Sequence, residues 1–396
     1  MSEKKYSNII LVLPSWYPNK LSPYDGDFIK RHVEAISLYQ NQTVIYVVKD
    51  ENGIMTKDVL IEINLDNNIT EQIIYYKPIK TGFKMFDKLL SQIKYKRVYK
   101  TAITNFIKKN GVPYLTHVHV AYKAGLLGCW IKTKWNIPYL LSEHSTIYLK
   151  KAEPNIDELN YYFKQIIKKV INNASNISVV SNYLGVAINN FLPKIKFKLV
   201  PNVVNSNIFT EVVDGITLKD NTDFIFISNF TSQKNFPFLV DVIKYLKQIN
   251  IETTIHCYGS NSLEDVDLVT KYDVSNRFIF YGEVPQKIIA QKMQQVSALL
   301  ICSKYETFGC VVIEANAAGL PVLATPTKPF DELIENGVNG IVATEFSVEA
   351  YAEVIKNFID KKYVFDSKQI FKSVNNYSYQ SVGKQYFDIY NSILSK

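Results

Sequence analysis

The chain has 396 residues and a formal net charge of +8, and 47% of its residues are hydrophobic. Two domains are expected, because a single hydrophobic core rarely organises more than about 250–300 residues. No apolar run approaches the roughly 18 residues of a membrane-spanning helix, and the four cysteines are scattered without CxxC pairs. The composition therefore predicts a globular cytoplasmic protein with reduced thiols and excludes an integral membrane protein.

Strand-like and helix-like segments alternate through the first 200 residues. A charged start followed by apolar residues 9–13 superficially resembles a signal peptide, but five apolar residues ended by Pro14 are too few, and a first β-strand is the better interpretation. Further strands are predicted at 43–48, 73–76, 115–118, 139–142, 177–180 and 198–200, and helices at 28–39, 83–110, 121–135, 156–172 and 183–190. This alternation is typical of a Rossmann-like domain with a parallel sheet.

The segment between Phe83 and Asn110 is strongly basic. Its apolar residues recur at helical spacing, which predicts a long amphipathic helix with a cationic face. The cations, set against the single acid Asp87, are Lys84, Lys88, Lys94, Lys96, Arg97, Lys100, Lys108 and Lys109. Such a face is most often solvated; the functional alternative is peripheral docking on an anionic membrane surface, where each well-placed cation contributes about 1 kcal/mol. No nucleic-acid recognition motif accompanies it, so nucleic acid is not predicted as a partner.

The alternation begins again after residues 201–205. Strands are predicted at 224–227, 253–258, 278–281, 298–301, 322–324 and 340–342, and helices at 236–248, 263–271, 285–295, 309–318, 348–359 and 378–395. We therefore predict an N-terminal domain at 1–204, a C-terminal domain at 205–377 and a last helix at 378–396 that packs back on the N-terminal domain, with a linker at 204–221. Two such domains form a deep cleft, which is a preferred ligand site.

The stretch at 298–324, ALLICSKYETFGCVVIEANAAGLPVLA, reads as strand, loop, helix and strand. Glu306 falls in the loop at the carboxyl end of a strand, where ligands bind in doubly wound sheets. Glu314 follows on the helix, and both acids could hold hydroxyls of one elongated ligand. The free amides of Phe308, Gly309 and Cys310 at the helix start would face an anionic group. The alternative is a solvated loop glutamate and a helix glutamate satisfied by a neighbouring amide.

This stretch, followed by ELIENGVNGIV at 332–342, resembles the donor-binding signature of retaining glycosyltransferases of the GT-B fold, family 4. Weaker similarities occur in the family's order along the chain: PSWYPNKLSPYDGDF at 14–28, THVHVAYKAG at 116–125, SEH at 142–144, the Pro201-Asn202 turn and SNFTSQKN at 228–235. The resemblance implies an α/β protein of the GT-B fold, with two Rossmann-like parallel-sheet domains facing each other across a cleft.

The resemblance also implies roles for residues of the C-terminal domain. Glu314 matches the acid that binds the ribose hydroxyls of a nucleotide sugar, and Glu306 matches the acid that contacts the transferred sugar. Lys234 matches the lysine that neutralises the diphosphate leaving group, where fixed cations stabilise the developing charge. The backbone amides that meet the sugar or its phosphate correspond to Phe308, Gly309 and Cys310.

On the N-terminal side, Gly26 matches a position where the backbone approaches the donor closely, which glycine permits without steric cost. His119 matches the histidine beside the reacting carbon, and we assign it an orienting and polarising role. His144 is a candidate acceptor contact, with a core histidine as the alternative. From the strand ends that should face the cleft, Val284 is a candidate for the base pocket.

One position departs from the family pattern. Asn229 stands where the family usually has an arginine beside the diphosphate, so one of two expected cations is missing. Lys304 is close enough in sequence to substitute, or it is an ordinary surface lysine. The departure makes a weakened enzyme or an altered donor more plausible.

The predicted activity is transfer of a sugar, with retention, from a nucleoside diphosphate sugar to a hydroxyl of a glycan or lipid-linked acceptor in surface polysaccharide or glycoconjugate synthesis. No cofactor is predicted. His117, His119 and His144 suggest zinc, but no further Cys, Asp or Glu lies at ligand spacing, so no metal is predicted. The alternatives are a sugar-nucleotide epimerase and a catalytically silent sugar-nucleotide-binding protein. The protein is expected in the cytoplasm, with the inner membrane face as a peripheral location.

Overall fold

The computed structural model describes residues 6–210 and 222–395. In the N-terminal half, an eight-stranded sheet has the order β3-β4-β2-β1-β5-β6-β7-β8, and its neighbouring strands are parallel except for the antiparallel pair β3 and β4. Its strands are β1 (Tyr6–Pro14), β2 (Gln42–Lys49), β3 (Val59–Asp66), β4 (Ile69–Tyr76), β5 (Val112–His119), β6 (Tyr139–Glu143), β7 (Asn176–Val179) and β8 (Lys198–Leu199). The helices are α1 (Asp27–Ser37), α2 (Lys84–Asn110), α3 (Gly125–Trp135), α4 (Tyr161–Asn173) and α5 (Asn182–Phe191).

The first strand shows why both faces of this sheet are covered. Residues 10–13 are all buried, and alternate side chains point to opposite faces. Leu11 and Leu13 join a hydrophobic cluster with residues of α2 and α3, whereas Ile10 and Val12 join a cluster with residues of α1. Because the strands are parallel, the carboxyl ends of β1, β5 and β6 meet at one edge, where His119 ends β5 and the loops that carry Gly26 and His144 begin.

The C-terminal half contains a six-stranded parallel sheet of order β11-β10-β9-β12-β13-β14. Its strands are β9 (Asp223–Ile227), β10 (Thr254–Tyr258), β11 (Phe278–Phe280), β12 (Ala298–Ile301), β13 (Val322–Ala324) and β14 (Gly340–Val342). Its helices are α6 (Phe236–Gln248), α7 (Leu263–Lys271), α8 (Gln286–Met293), α9 (Cys310–Ala317), α10 (Phe330–Leu333), α11 (Val348–Ile359) and α12 (Ser367–Lys372). Two parallel-sheet α/β halves are thus present, as the sequence predicts.

The last helix, α13 (Tyr379–Leu394), lies against α1 of the N-terminal half. Val382, Tyr386 and Tyr390 belong to the same hydrophobic cluster as α1. Gly383 allows the close approach, because a Cβ atom there would lie 2.1 Å from the carbonyl oxygen of Ala35. The exact domain boundary stays a prediction, since residues 211–221 of the predicted linker lie outside the described residues.

Strand β3 is absent from the sequence prediction. Its apolar residues alternate with period two, but they face solvent: Ile61, Ile63 and Leu65 are 51%, 62% and 78% exposed. Ile61 pairs with Ile74 of β4, whose side chain packs with α2, so this apolar stripe lies on the α2 side of the sheet. Among the described residues, no helix is long and apolar enough to span a bilayer.

Candidate active site

Glu306 and Glu314 lie on the loop and helix that follow β12, and both carboxylates are buried. Gly309 begins α9 with a φ of +105°, a conformation that L side chains rarely adopt, and a Cβ atom there would lie 3.0 Å from Phe330. The amide of Val312 donates a 3.0 Å hydrogen bond to the carbonyl oxygen of Gly309, whereas the amides before it at a helix start have no helical partners. The strand end, the left-handed glycine and the helix start thus carry both acids in one βαβ unit, and their roles stay a prediction.

Lys234 contacts Glu306. Its Nζ lies 2.5 Å from Glu306 Oε1, and Ser303 Oγ donates a 2.9 Å hydrogen bond to the same oxygen. The amide of Gln233 donates to the carbonyl oxygen of Tyr305, which ties the turn before α6 to the loop after β12. The structure therefore brings Lys234 into the same site as Glu306, from a different strand end.

Glu314 contacts Arg31 of α1, a residue that sequence reasoning missed. Arg31 Nη1 lies 2.8 Å from Glu314 Oε1, and Nη2 lies 2.8 Å from Asp27. The side chains of Arg31 and Glu314 are only 6% and 9% exposed. The sequence did contain a signal. Almost all basic residues of the chain are lysines, so an arginine indicates a position that needs a planar, forked hydrogen-bond donor.

The N-terminal half contributes a cluster of buried histidines. His119 Nδ1 lies 3.1 Å from His144 Nε2, so one ring donates to the other. Burial lowers the pKa of His119 and of His144 well below the ordinary value of about 6.5. His119 Nε2 and His144 Nδ1 are buried with no hydrogen-bond partner among the described residues. Two neutral rings therefore leave polar atoms available to a ligand.

His32 of α1 completes the cluster, and the sequence analysis did not single it out. Ligand atoms of His32, His119 and His144 lie within 4.8 Å of one another, a spacing that a metal ion could bridge. Both ring nitrogens of His32 already have partners, the carbonyl oxygen of Pro201 at 3.2 Å and the hydroxyl of Tyr386 at 3.3 Å. A metal would have to displace one of them, so the donor set fits a metal poorly.

His117 does not join this cluster through hydrogen bonds. Its ring nitrogens contact the hydroxyl of Tyr390 at 2.7 Å and Ser142 Oγ at 2.6 Å. It therefore connects β5 to α13 and β6. Burial lowers its pKa well below the ordinary value.

Glu143 organises the loops that follow β5 and β6, next to His119 and His144. Its carboxylate accepts hydrogen bonds from the backbone N–H groups of Ala121, His144 and Ser145 and from the hydroxyl of Tyr148. Burial nevertheless raises its pKa, and these hydrogen bonds act in the opposite direction. The residue is a support for the site and lies in the SEH segment that the sequence analysis noted.

Gly26 lies at the start of α1 with a φ of +67°. A Cβ atom there would lie 2.4 Å from the backbone carbonyl of Trp16, so within the protein alone only glycine fits. The next residue, Asp27, accepts a 3.0 Å hydrogen bond from Gln286 of α8 across the cleft. The glycine is thus required by the loop that precedes α1.

Asn229 and Lys304 are both exposed. Asn229 Oδ1 accepts a 3.0 Å hydrogen bond from Thr231, and the amide of Lys304 donates to the carbonyl oxygen of Gln233. Gly259 allows the segment before Asn229 to pass close by, because a Cβ atom at Gly259 would lie 1.7 Å from the carbonyl oxygen of Ser228. Val284 is half-buried beside α8 and packs on the core.

Polar contacts also join the domains at the loop between the two acids and at α10. Ser181 Oγ donates a 2.7 Å hydrogen bond to the carbonyl oxygen of Thr307. The backbone N–H groups of Asn182 and Tyr183, at the start of α5, each donate a 2.8 Å hydrogen bond to the carboxylate of Glu332. A carboxylate at a helix N-terminus is favourably placed. The loop between Glu306 and Glu314 is therefore supported from the opposite domain.

Comparison with known proteins gives consistent matches. Residues 212–376 match the family described as Glycosyl transferases group 1. An uncharacterised glycosyltransferase of Methanocaldococcus jannaschii is 26% identical over 358 residues, covering 89% of this chain and 90% of that protein. The structure of sucrose-phosphate synthase from Thermosynechococcus elongatus has a TM-score of 0.76 at 17% identity, covering 98% of this chain and 99% of that one. Anabaena HepE in complex with UDP and glucose has a TM-score of 0.72 at 17% identity, covering 98% and 100%. These matches confirm the predicted fold.

Proposed function

We propose that this chain, a glycosyltransferase of the GT-B fold, moves a sugar from a nucleoside diphosphate sugar to an acceptor hydroxyl. The transfer retains the configuration at the anomeric carbon, as in family 4. One observation carries the proposal. Glu306 and Glu314 are buried on either side of the α9 N-terminus, each paired with a cation, Lys234 and Arg31. Such an arrangement suits a ligand with hydroxyls at both ends and phosphates between them.

In the proposed mechanism, Glu314 accepts hydrogen bonds from the ribose, and Glu306 accepts them from the sugar. Charge develops on the diphosphate as the glycosidic bond breaks, and Lys234 with the amides of Gly309 and Cys310 stabilises it. His119 orients the sugar through its unpartnered Nε2. No protein nucleophile is assigned, because the buried histidines have lowered pKa values and the two acids are proposed to bind hydroxyls.

We assign no metal or other cofactor to this reaction. A cation is needed at the diphosphate, and Lys234 with the helix start supplies positive charge without one. Activity is expected to persist in excess EDTA. Loss of activity in EDTA that zinc or magnesium restores would contradict this part of the proposal.

A UDP-sugar is the first donor to test, because a neighbouring structure was solved with UDP and glucose. Val284 is proposed to border the base pocket. The stacked rings of Tyr258 and Tyr281, with centroids 4.6 Å apart, lie at the ends of adjacent strands near it.

We further propose that the acceptor is a glycan or a lipid-linked sugar and that the protein docks peripherally on the cytoplasmic membrane face. The support is the exposed apolar side of the N-terminal domain. The stripe of β3 lies on the same side as α2, whose exposed apolar residues, with Phe83 just before the helix, are Met85, Phe86, Leu89 and Ile93. Cations of α2 surround them, and Lys96, Arg97 and Lys100 line a groove with Trp130 of α3. Such a surface favours anionic lipid.

Two alternative activities make different predictions. A sugar-nucleotide epimerase would convert the donor without any acceptor. A silent sugar-nucleotide-binding protein would bind the donor with neither transfer nor hydrolysis, and Asn229 in place of an arginine keeps this alternative open.

The first experiment is a thermal-shift screen against UDP-, GDP-, ADP- and TDP-sugars, followed by acceptor trials with the donor that raises Tm most. Stabilisation by one donor and its consumption only when an acceptor is present support transfer. No stabilisation by any of the four nucleotide sugars would contradict the proposal.

A further inference from the structure

Arg31 connects the two domains at the centre of the cleft. It belongs to α1 of the N-terminal domain, yet its Nη1 lies 2.8 Å from Oε1 of Glu314 on α9 of the C-terminal domain. The same nitrogen donates a 3.0 Å hydrogen bond to the carbonyl oxygen of Val203, at the end of the N-terminal domain. One guanidinium therefore contacts both domains and the segment that leads from one to the other.

The orientation of this guanidinium is also set from its other side. Nη2 lies 2.8 Å from Oδ2 of Asp27, and that oxygen accepts a hydrogen bond from Gln286 of α8. Two residues of α1 are thus linked to two helices of the C-terminal domain. A planar fork with donors in fixed directions can make such contacts at once, which a lysine cannot.

The guanidinium of Arg31 stays charged although it is buried. Burial opposes the charge on Arg31, but Glu314, with Cys310 and Asp27, raises the pKa of the guanidinium above its ordinary value. A buried carboxylate without this partner would be strongly unfavourable. Arg31 thereby holds the carboxylate of Glu314 in one orientation.

This arrangement leaves polar atoms for a ligand. Arg31 contacts Oε1 of Glu314, and within residues 6–210 and 222–395 no ion pair involves its second oxygen, Oε2. Arg31 Nε is itself buried without a hydrogen-bond partner in that part of the chain. Buried polar atoms are rarely left unpaired in a complete site.

We propose that Arg31 is a positioning residue of the donor site, which aims Glu314 Oε2 at the ribose hydroxyls and so makes ribose recognition depend on the N-terminal domain. This inference rests on the proposed function, since it assumes that a nucleoside diphosphate binds at Glu314. It adds a residue from the opposite domain to the donor site. Donor binding and closure of the two domains are thereby coupled through one side chain.

The test is calorimetric titration of the full chain with UDP, GDP and ADP, each beside its 2′-deoxy counterpart. Wild-type protein is expected to bind the ribonucleotide that it prefers about 10- to 100-fold more tightly than the deoxy form, the range for a lost hydrogen bond to a charged group. Arg31→Met is expected to remove most of this preference by weakening the binding of the ribonucleotide. Arg31→Lys, which restores one charge, is expected to recover part of it.

Matched variants separate this role from general stability. Lys30→Met removes a cation one residue away and is expected to leave the preference unchanged. Glu314→Gln should lower the preference as Arg31→Met does, and the double variant should be no worse than Glu314→Gln alone. If Arg31→Met fails to fold, Arg31→Gln takes its place.

Two results would overturn the inference. One is a variant of Arg31 that lowers the affinities for the ribonucleotide and the deoxynucleotide equally. The other is a variant that leaves both affinities unchanged. Failure of wild-type protein to bind any of the six nucleotides would overturn this inference, and the absence of stabilisation by all four nucleotide sugars, TDP-sugars included, would overturn the proposed function as well.

Discussion

Lys234 Nζ and Glu306 Oε1 lie 2.5 Å apart, although they come from the ends of different strands. The lysine was predicted to face a diphosphate and the glutamate a sugar, and their contact places both at one point of the cleft. The pair holds the carboxylate in place before a donor arrives.

Removing the charge of Glu306 should lower turnover far more than it lowers stability. We expect Glu306→Gln to reduce kcat about 10²- to 10³-fold, the scale for losing one polar group aimed at the reacting centre. Steady-state kinetics with the best donor and acceptor measures the effect. Glu349→Gln, an exposed acid at the start of α11, is the matched control. Intact turnover in Glu306→Gln would contradict the assigned role.

Restoring the missing cation should strengthen donor binding. We expect Asn229→Arg to lower the donor KM several-fold, up to about tenfold, because an added charged hydrogen bond to phosphate contributes roughly 1–1.5 kcal/mol. Asn229→Gln, which lengthens the side chain without adding a charge, should leave the donor KM unchanged. An arginine variant with unchanged or raised KM would show that another group already serves the phosphate.

Acidification should destabilise the protein through its buried histidines. Burial lowers the pKa of His32 to about 3 and lowers that of His117 well below its ordinary value. Between about pH 6.5 and the lowered native pKa, the unfolded chain binds protons that the native state excludes, so stability falls as pH falls. The raised pKa of buried Glu143 acts in the opposite direction.

A single substitution isolates the histidine contribution. Urea unfolding of wild-type protein and His117→Gln between pH 4.5 and 6 should show a smaller pH slope in the variant, by about 1.4 kcal/mol per pH unit for one proton. Equal slopes would mean that His117 titrates normally in the native state.

Gly26→Ala should fail for steric reasons. The added Cβ would meet the backbone of Trp16 at 2.4 Å, whereas Gly53, with a similar positive φ, has open space around it. We expect Gly26→Ala to lower Tm by several degrees or more, since strained φ alone costs about 1 kcal/mol or more, and Gly53→Ala to lower it less. Equal effects on Tm would show that the loop adapts.

The membrane proposal predicts that charged and apolar residues contribute separately to vesicle binding. Co-sedimentation with vesicles containing anionic phosphatidylglycerol should exceed that with phosphatidylcholine alone, and Lys96→Glu with Arg97→Glu should remove the difference. Ile61→Ser with Ile63→Ser should weaken binding to both vesicles. Lys368→Glu with Lys372→Glu, on exposed α12, is the control. Binding that survives the α2 charge reversals would contradict docking through this face.

The sequence predicts the sheets well because their strands are short apolar runs buried on both faces. It predicts Glu306 and Glu314 because both lie in one βαβ unit, where local spacing determines their placement. β3 is not predicted because it is not a short apolar run buried on both faces. Its apolar residues alternate with polar ones and face solvent.

Arg31 and His32 could not be placed from spacing alone. Their partners, Glu314 and Pro201, are distant in sequence and meet them only when both domains and α13 are assembled. On a helix pattern, His32 reads as a core residue, and its neighbourhood with His119 and His144 depends on how β5, β6 and α1 meet at the sheet edge.

The most direct test of the central claim is ¹H NMR of the reaction mixture with an accepted donor and a hydroxyl acceptor, recorded from the first turnover. The proposed reaction predicts a product whose anomeric proton has the same configuration as the donor sugar, and no change in the donor when the acceptor is left out. An inverted anomeric configuration, or conversion of the donor to another nucleotide sugar without acceptor, would contradict it.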